Sequence, residues 1–263
     1  VVSSAFFPPY GPVYIELISA VAQKIIDKND IPFKTEKETN NIEYDDQIIS
    51  LIQQSKKPVL ILGLENLIED TSEVIFQITN TLNCPTLVTY KAKGIISDKD
   101  NNLVGIFTGG RAEQIVVKES DLIILIGLDP VELILQPWPY DIPVLNISLI
   151  NHKVHYVNAE ADLLGNLNFN LNRYLKYFTK SDWKKSEIKY FKDEIKSKLI
   201  FPSNNLLNPQ SIVENAQAFS KNNPRISIDA GAHMFSATAF WNASKPFDVL
   251  ISNGLATMGF ALP

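Results

Sequence analysis

From residue 58 onward the chain alternates short, continuous apolar runs with longer segments whose apolar residues recur three and four positions apart. PVLILG (58–63), PTLVTY (85–90), DLIILIG (121–127) and PVLNIS (143–148) are the runs, and their flanks of polar or turn-forming residues predict strands. Between them, DTSEVIFQITNTL (70–82) puts Val74, Ile75, Ile78 and Leu82 on one helical face, with N-cap candidates at Asp70 to Ser72. GRAEQIVVKE (110–119) predicts a second helix, and a third is expected near 160–175. Strands that alternate with helices need crossover connections, and therefore a largely parallel sheet. Apolarity in DLIILIG is continuous rather than alternating, which requires cover on both faces of that strand. The pattern predicts an α/β fold: a doubly wound, mostly parallel sheet of Rossmann-like type.

The flanks read differently. GPVYIELI (11–18) predicts a short strand after a Gly-Pro turn, and DKNDIPFKTEKETNNIEYDDQ (27–47) is poor core material that reads as a linker. DWKKSEIKYFKDEIKSKL (182–199) reads as a solvated connecting helix. A second α/β unit then opens with NPQSIVENAQAF (208–219), where Asn208 is placed to cap and Pro209 to take the first helical position. RISIDAG (225–231) and DVLISNG (248–254) are strands running into small-residue turns; a helix follows the first from about residue 233, and TMGFALP opens a helix after the second. The expected division is 1–26, the linker 27–47, a central α/β domain at 48–178, a connecting helix at 179–207, and part of a second α/β domain at 208–263. The chain starts on two valines and stops in an apolar run, so both ends read as cut from a longer protein.

Charge and cysteine usage narrow the possibilities. The chain has 24 Lys and Arg against 29 Asp and Glu, with no basic stripe, which speaks against a nucleic-acid partner. No stretch is long and apolar enough to span a bilayer, so no membrane association is expected. Cys84 is the single cysteine, cannot form an internal disulfide, and suits a reducing cytoplasm; its expected place is a small core position beside a strand. His152 and His155 in NHKVHY lack a carboxylate or cysteine at ligand spacing, so a surface turn is expected there rather than a metal site.

The candidate chemistry sits at two strand-to-helix turns, DAGAH (229–233) and NGLATMG (253–259). Small side chains let a ligand approach the backbone, and a helix N-terminus offers unpaired N–H groups and a positive dipole end to an anion.

Taken together, GPVYIEL, SKKPVLILG, NCPTLVTYKAKG, GIFTGGRAEQIVVKESDLIILIG, ISIDAGAHM and ISNGLATMGFALP resemble, in order and spacing, the thiamine-diphosphate-dependent decarboxylase and acetohydroxyacid synthase superfamily. The resemblance implies the end of a pyrimidine-binding domain at 1–26, a complete central domain, and the start of a diphosphate-binding domain at 208–263. It also implies thiamine diphosphate and Mg2+ as cofactors, a 2-oxo acid as substrate, and a homodimeric or homotetrameric parent. Carried over by residue, Ala230, Gly231, Ala232 and His233 match the loop that meets the diphosphate, although relatives often carry Gln at the position of Ala232. Gly254 and Ala256 match the second turn, where the backbone carbonyl at Ala256 would accept from the cofactor's amino group. Met258 matches the bulky apolar residue beneath the bent cofactor. The family's activating glutamate and its Gly-Asp-Gly magnesium motif match nothing in these residues, so no catalytic or metal residue is expected in the chain, and the chain alone is expected to be inactive.

Flavin-containing relatives bind FAD in the central domain through glycine turns that correspond to Gly63, Gly105 to Arg111, and Gly127 to Asp129. The first turn lacks the repeated glycines, and NISLI (146–150) stands where an acidic strand end would hold a ribose, so a ligand-free central domain is expected over FAD. An FAD- or NAD-binding oxidoreductase domain and a non-catalytic interaction domain are the rival readings.

Overall fold

The computed structural model describes residues 14, 16, 18–25, 45–133, 137–152, 157–202, 207–222, 224–252 and 256–262. The chain divides into two compact units, Val1–Asn40 and Asn41–Pro263. In the first, Ser19–Ala22 forms one helical turn, and Tyr14, Glu16 and Ile18 belong to no strand. The strand expected at 11–18 is therefore not seen at those three positions, and its other residues lie outside the described ones. An apolar run is extended structure only if a neighbouring strand takes its backbone hydrogen bonds.

The second unit begins with α1 (Asp45–Gln54), followed by β1 (Pro58–Leu62), α2 (Glu65–Ile68), α3 (Ser72–Leu82), β2 (Thr86–Thr89) and β3 (Leu103–Phe107). Next come α4 (Gln114–Val117), β4 (Leu122–Ile126), β5 (Val144–Ser148), β6 (Ala161–Leu164), α5 (Leu167–Tyr174) and α6 (Lys185–Leu199). The six strands form one parallel sheet in the order β3-β2-β1-β4-β5-β6. β1, β4 and β5 are buried along their whole length, as the continuous apolarity of β1 and β4 requires; β5 also buries Asn146 and Ser148. The fold class matches the pattern in the sequence.

Several elements differ from expectation. The last residues of the supposed linker open α1, because Ile48 and Ile52 recur at helical spacing and are buried, while Asp45 bonds Arg173 and Tyr174 of α5. β3 was hidden by Gly105 in its middle; any Cβ there would lie 2.9 Å from Cγ2 of Ile195, so the glycine admits the helix packed against it. The helix expected at 110–119 is a single turn, and the segment near 160–175 opens with β6 before its helix begins. α6 is not merely a solvated connector: Ile188, Phe191 and Ile195 are buried against the β3 side, and the indole of Trp183 donates to the Pro58 carbonyl at 2.8 Å.

After α6 the chain forms α7 (Pro209–Phe219), β7 (Ile226–Ile228), α8 (Ala232–Phe240) and β8 (Val249–Ile251). Asn208 caps α7 by accepting from Ser211 N at 2.8 Å, with Pro209 at the first position, as its sequence predicts. β7 and β8 pair in parallel as a separate two-stranded sheet. Asp98 ties this part to the loop after β2: it accepts from Lys93 Nζ at 2.6 Å and from Ala243 N at 2.5 Å, and Lys93 is only 3% exposed. The helix expected in TMGFALP is not formed; residues 258–261 make a turn. Among the described residues, no helix is long and apolar enough to cross a membrane.

If α6 is a structural layer, Ile195→Ala loses about 2–5 kcal/mol of stability by chemical denaturation, while Lys189→Ala at an exposed ion pair on the same helix changes it by less than about 1 kcal/mol. Equally small changes in both variants would contradict that role.

Candidate functional site

Two sets of turns collect at carboxyl ends of parallel strands, and they are built in opposite ways. At the end of β7, Asp229 accepts from Ala261 N at 2.9 Å, which draws the 259–261 turn beside the start of α8. Ser227 Oγ adds a 3.3 Å bond to the Phe260 carbonyl. Backbone donors from Ala261, Gly259 and Phe260, with His233 nearby, hold the Asp229 carboxyl below the usual range. Gly231, at φ 139°, occupies a conformation that side chains rarely adopt, and the His233 imidazole folds back to within 3.0 Å of where its Cβ would sit. No side chain caps α8, and Gly231, Ala232 and His233 are exposed. This helix start therefore offers its first amides to an outside acceptor.

The second turn is partly visible. Ala256 lies at φ 49°, the left-handed region that favours glycine, and Met258 is 85% exposed. Gly254 lies outside the described residues. Asp229 thus brings the first turn and the end of the second to the same edge of the β7–β8 pair.

At the carboxyl edge of the six-stranded sheet, by contrast, the donors are already taken. Glu132, 1% exposed, accepts from Leu64 N at 2.6 Å and Asp129 N at 3.0 Å, and its other oxygen bonds the Thr89 hydroxyl. Burial pushes its carboxyl up to about 8, against those hydrogen bonds. Glu65 accepts from Leu149 N at 2.9 Å and lies 2.8 Å from His152 Nε2. In place of the expected surface turn, His152 is half-buried and hydrogen-bonded to Glu65; burial opposes its proton, but the bond and charge of Glu65, with Asp129 and Glu132, leave its pKa raised. His155 lies outside the described residues. Cys84 is fully buried and its thiol is pushed up to about 12 by burial, so it stays protonated and unreactive. Among the described residues no group of three or more His, Cys, Asp or Glu is arranged to hold a metal ion.

Residues 46–173 match the family model for the thiamine pyrophosphate enzyme central domain. Acetolactate synthase of Bacillus subtilis is 22% identical, over 82% of this chain and 40% of that protein. A probable acetolactate synthase large subunit of Methanococcus aeolicus is 26% identical, over 96% of this chain and 48% of that protein. In fold, benzoylformate decarboxylase from Polynucleobacter necessarius superposes with a TM-score of 0.72 over 98% of this chain and 49% of that one, at 16% identity.

The chain thus contains a thiamine pyrophosphate enzyme central domain. It spans less than half the length of the two acetolactate synthases, and the superfamily's central domain is the part that the family model covers. Sequence reasoning within this superfamily pointed to glycines and overlooked Glu132, although D-P-V-E at 129–132 is a legible capping box with proline at its first position. The box accounts for the bond to Asp129 alone. The reach to Leu64 and Thr89 has no local signal.

Glu132 gives a signed pH dependence. A carboxyl with an ordinary value of 4.5 and a folded value of about 8 stabilises the fold fully below pH 4.5, and this contribution is lost as pH rises to about 8. His152, with its raised value, slopes the same way, from the ordinary histidine value of 6.5 upward. Melting temperature should therefore fall between pH 5 and 8, and Glu132→Gln should flatten the Glu132 part of that slope; an unchanged slope in the variant would contradict the buried-acid assignment.

Proposed function

We propose that this chain is part of a thiamine-diphosphate- and magnesium-dependent enzyme acting on a 2-oxo acid, by decarboxylation or by carboligation of the acetohydroxyacid synthase kind. Within it, 1–26 would be the end of the pyrimidine-binding domain, 48–178 the central domain and 208–263 the start of the diphosphate-binding domain. The observation that carries the reading is the uncapped start of α8, exposed, built of small residues, and held beside the 259–261 turn by Asp229. Its relatives supply the reaction class, since they are acetolactate synthases.

The residues present fit the proposed coenzyme at its phosphate end. Gly231 permits close approach of an anion, and the amides of Ala232 and His233 would donate to it, with the small side chain of Ala230 leaving the approach open. Thiamine diphosphate, when bound, supplies the electron sink for breaking the bond to the carboxylate of a 2-oxo acid. Met258 would give an apolar support beneath it, and the carbonyl of Ala256, presented by a left-handed backbone, would orient an amino group. Magnesium would offset the charge of the diphosphate, and its ligands would come from elsewhere in the assembled enzyme. We infer a homodimeric or homotetrameric parent working in the cytoplasm, without a nucleic-acid or membrane partner.

The test is carbon dioxide release from a panel of 2-oxo acids by the protein translated from the complete reading frame. Release that requires both thiamine diphosphate and magnesium supports the reading, and its absence with every acid in the panel contradicts it. Calorimetry on the present chain alone should show no tight, magnesium-dependent uptake of thiamine diphosphate; micromolar uptake would contradict the division of the site.

A further inference from the structure

Strand order reverses between β1 and β4: the chain steps from β1 outward to β2 and β3, while β4, β5 and β6 build on the opposite side. Open α/β sheets take ligands in the crevice at such a point, with phosphates on the first strand-to-helix turn. In this chain the crevice is stitched shut by backbone bonds that continue past the strand ends. Gly63 N donates to Ile126 O at 2.9 Å, Glu65 N to Gly127 O at 3.0 Å, and Gly127 N to Ile147 O at 2.7 Å. The amide of Asn66 Nδ2 adds bonds to Ile126 O at 2.6 Å and Gly63 O at 3.0 Å. A Cβ at Gly63 would overlap the Gly127 carbonyl and come within 2.7 Å of Glu132 Oε1.

Into this junction Glu132 brings a carboxyl group that gathers donors from three places: Leu64 N after β1, the Thr89 hydroxyl at the end of β2, and Asp129 N after β4. The second glycine turn is closed in the same manner. Glu113 Oε1 accepts from Thr108 N and Gly110 N at 2.8 Å each, and from the Thr108 hydroxyl at 3.1 Å. Glu65 takes Leu149 N above β5. Each turn that a phosphate-bearing cofactor would use thus has an acidic side chain of the chain itself in its donors.

We propose that Glu132 is an internal ligand of the switch-point crevice: its carboxyl group occupies the donors a nucleotide phosphate needs, closes the crevice to dinucleotides, and leaves a small-anion site when it is removed. The exclusion works by volume and by occupied donors, so it holds whether Glu132 carries a proton or not. Loss of the side chain would strand Leu64 N, the Thr89 hydroxyl and Asp129 N in a part-buried pocket, with the charge of Lys91 near enough to act on it. Such a pocket fits acetate or formate in size and chemistry. The inference concerns the central sheet and does not rest on the proposed reaction.

The experiment compares the chain with its Glu132→Ala variant in thermal melting, in acetate and in chloride at equal ionic strength, alongside a fluorescence titration of FAD into the unaltered chain. The variant should melt lower, and acetate, but not chloride, should raise its melting temperature saturably while leaving the unaltered chain unmoved. FAD should show no saturable quenching at millimolar concentration. A folded variant without acetate-specific recovery overturns the proposal, as does saturable FAD binding by the unaltered chain. Should Glu132→Ala not fold, Glu132→Gln, which keeps the volume, must fold and still refuse FAD; uptake of FAD by it overturns the proposal equally.

Discussion

Every strand-to-helix turn of a parallel sheet leaves backbone N–H groups at the carboxyl edge that neither strand nor helix pairs, and each one needs an acceptor. How this chain meets that requirement differs between its two sheets. Over the six-stranded sheet, Glu132, Glu113 and Glu65 supply the acceptors from within, and the edge becomes part of the folded core. Over the β7–β8 pair, Asp229 serves the 259–261 turn while the start of α8 stays open. The same physical demand thus yields a self-contained layer in one place and an exposed helix start without a side-chain cap in the other.

This contrast gives the central domain its physical sense in the present chain. A central domain that carries its own acceptors can act as a rigid spacer, and α6 strengthens it by burying Ile188, Phe191 and Ile195 against the sheet. The bond from Asp98 to Ala243, and the close seating of Gly94 on the Lys245 carbonyl, then fix the loop after β2 against the segment leading into β8. The open edge is in this way held by a scaffold whose own crevice is filled.

Much of the fold was legible because it depends on local pattern. DLIILIG reads as a doubly covered strand, and Asn208-Pro209 reads as a helix start, with no knowledge of their neighbours. β3 was not legible, since Gly105 breaks its pattern for the benefit of Ile195, which lies on a helix far along the chain. Charges masked the buried face of α6 for a similar reason: three apolar residues in fifteen carry the packing. The turn at 229–233 was legible from its small residues and glycine. Glu132 was not, because its decisive partners are separated from it by 68 residues at Leu64 and 43 at Thr89. His152 likewise took its meaning from Glu65, 87 residues away.

The division between a filled and an open edge is most directly tested by titrating inorganic diphosphate into the isotope-labelled chain and following the backbone amides by NMR. Saturating shifts should appear at Gly231, Ala232 and His233, with Leu64, Gly110 and Asp129 unmoved. Shifts concentrated at Leu64, Gly110 and Asp129, with the α8 start silent, would contradict the assignment of both edges.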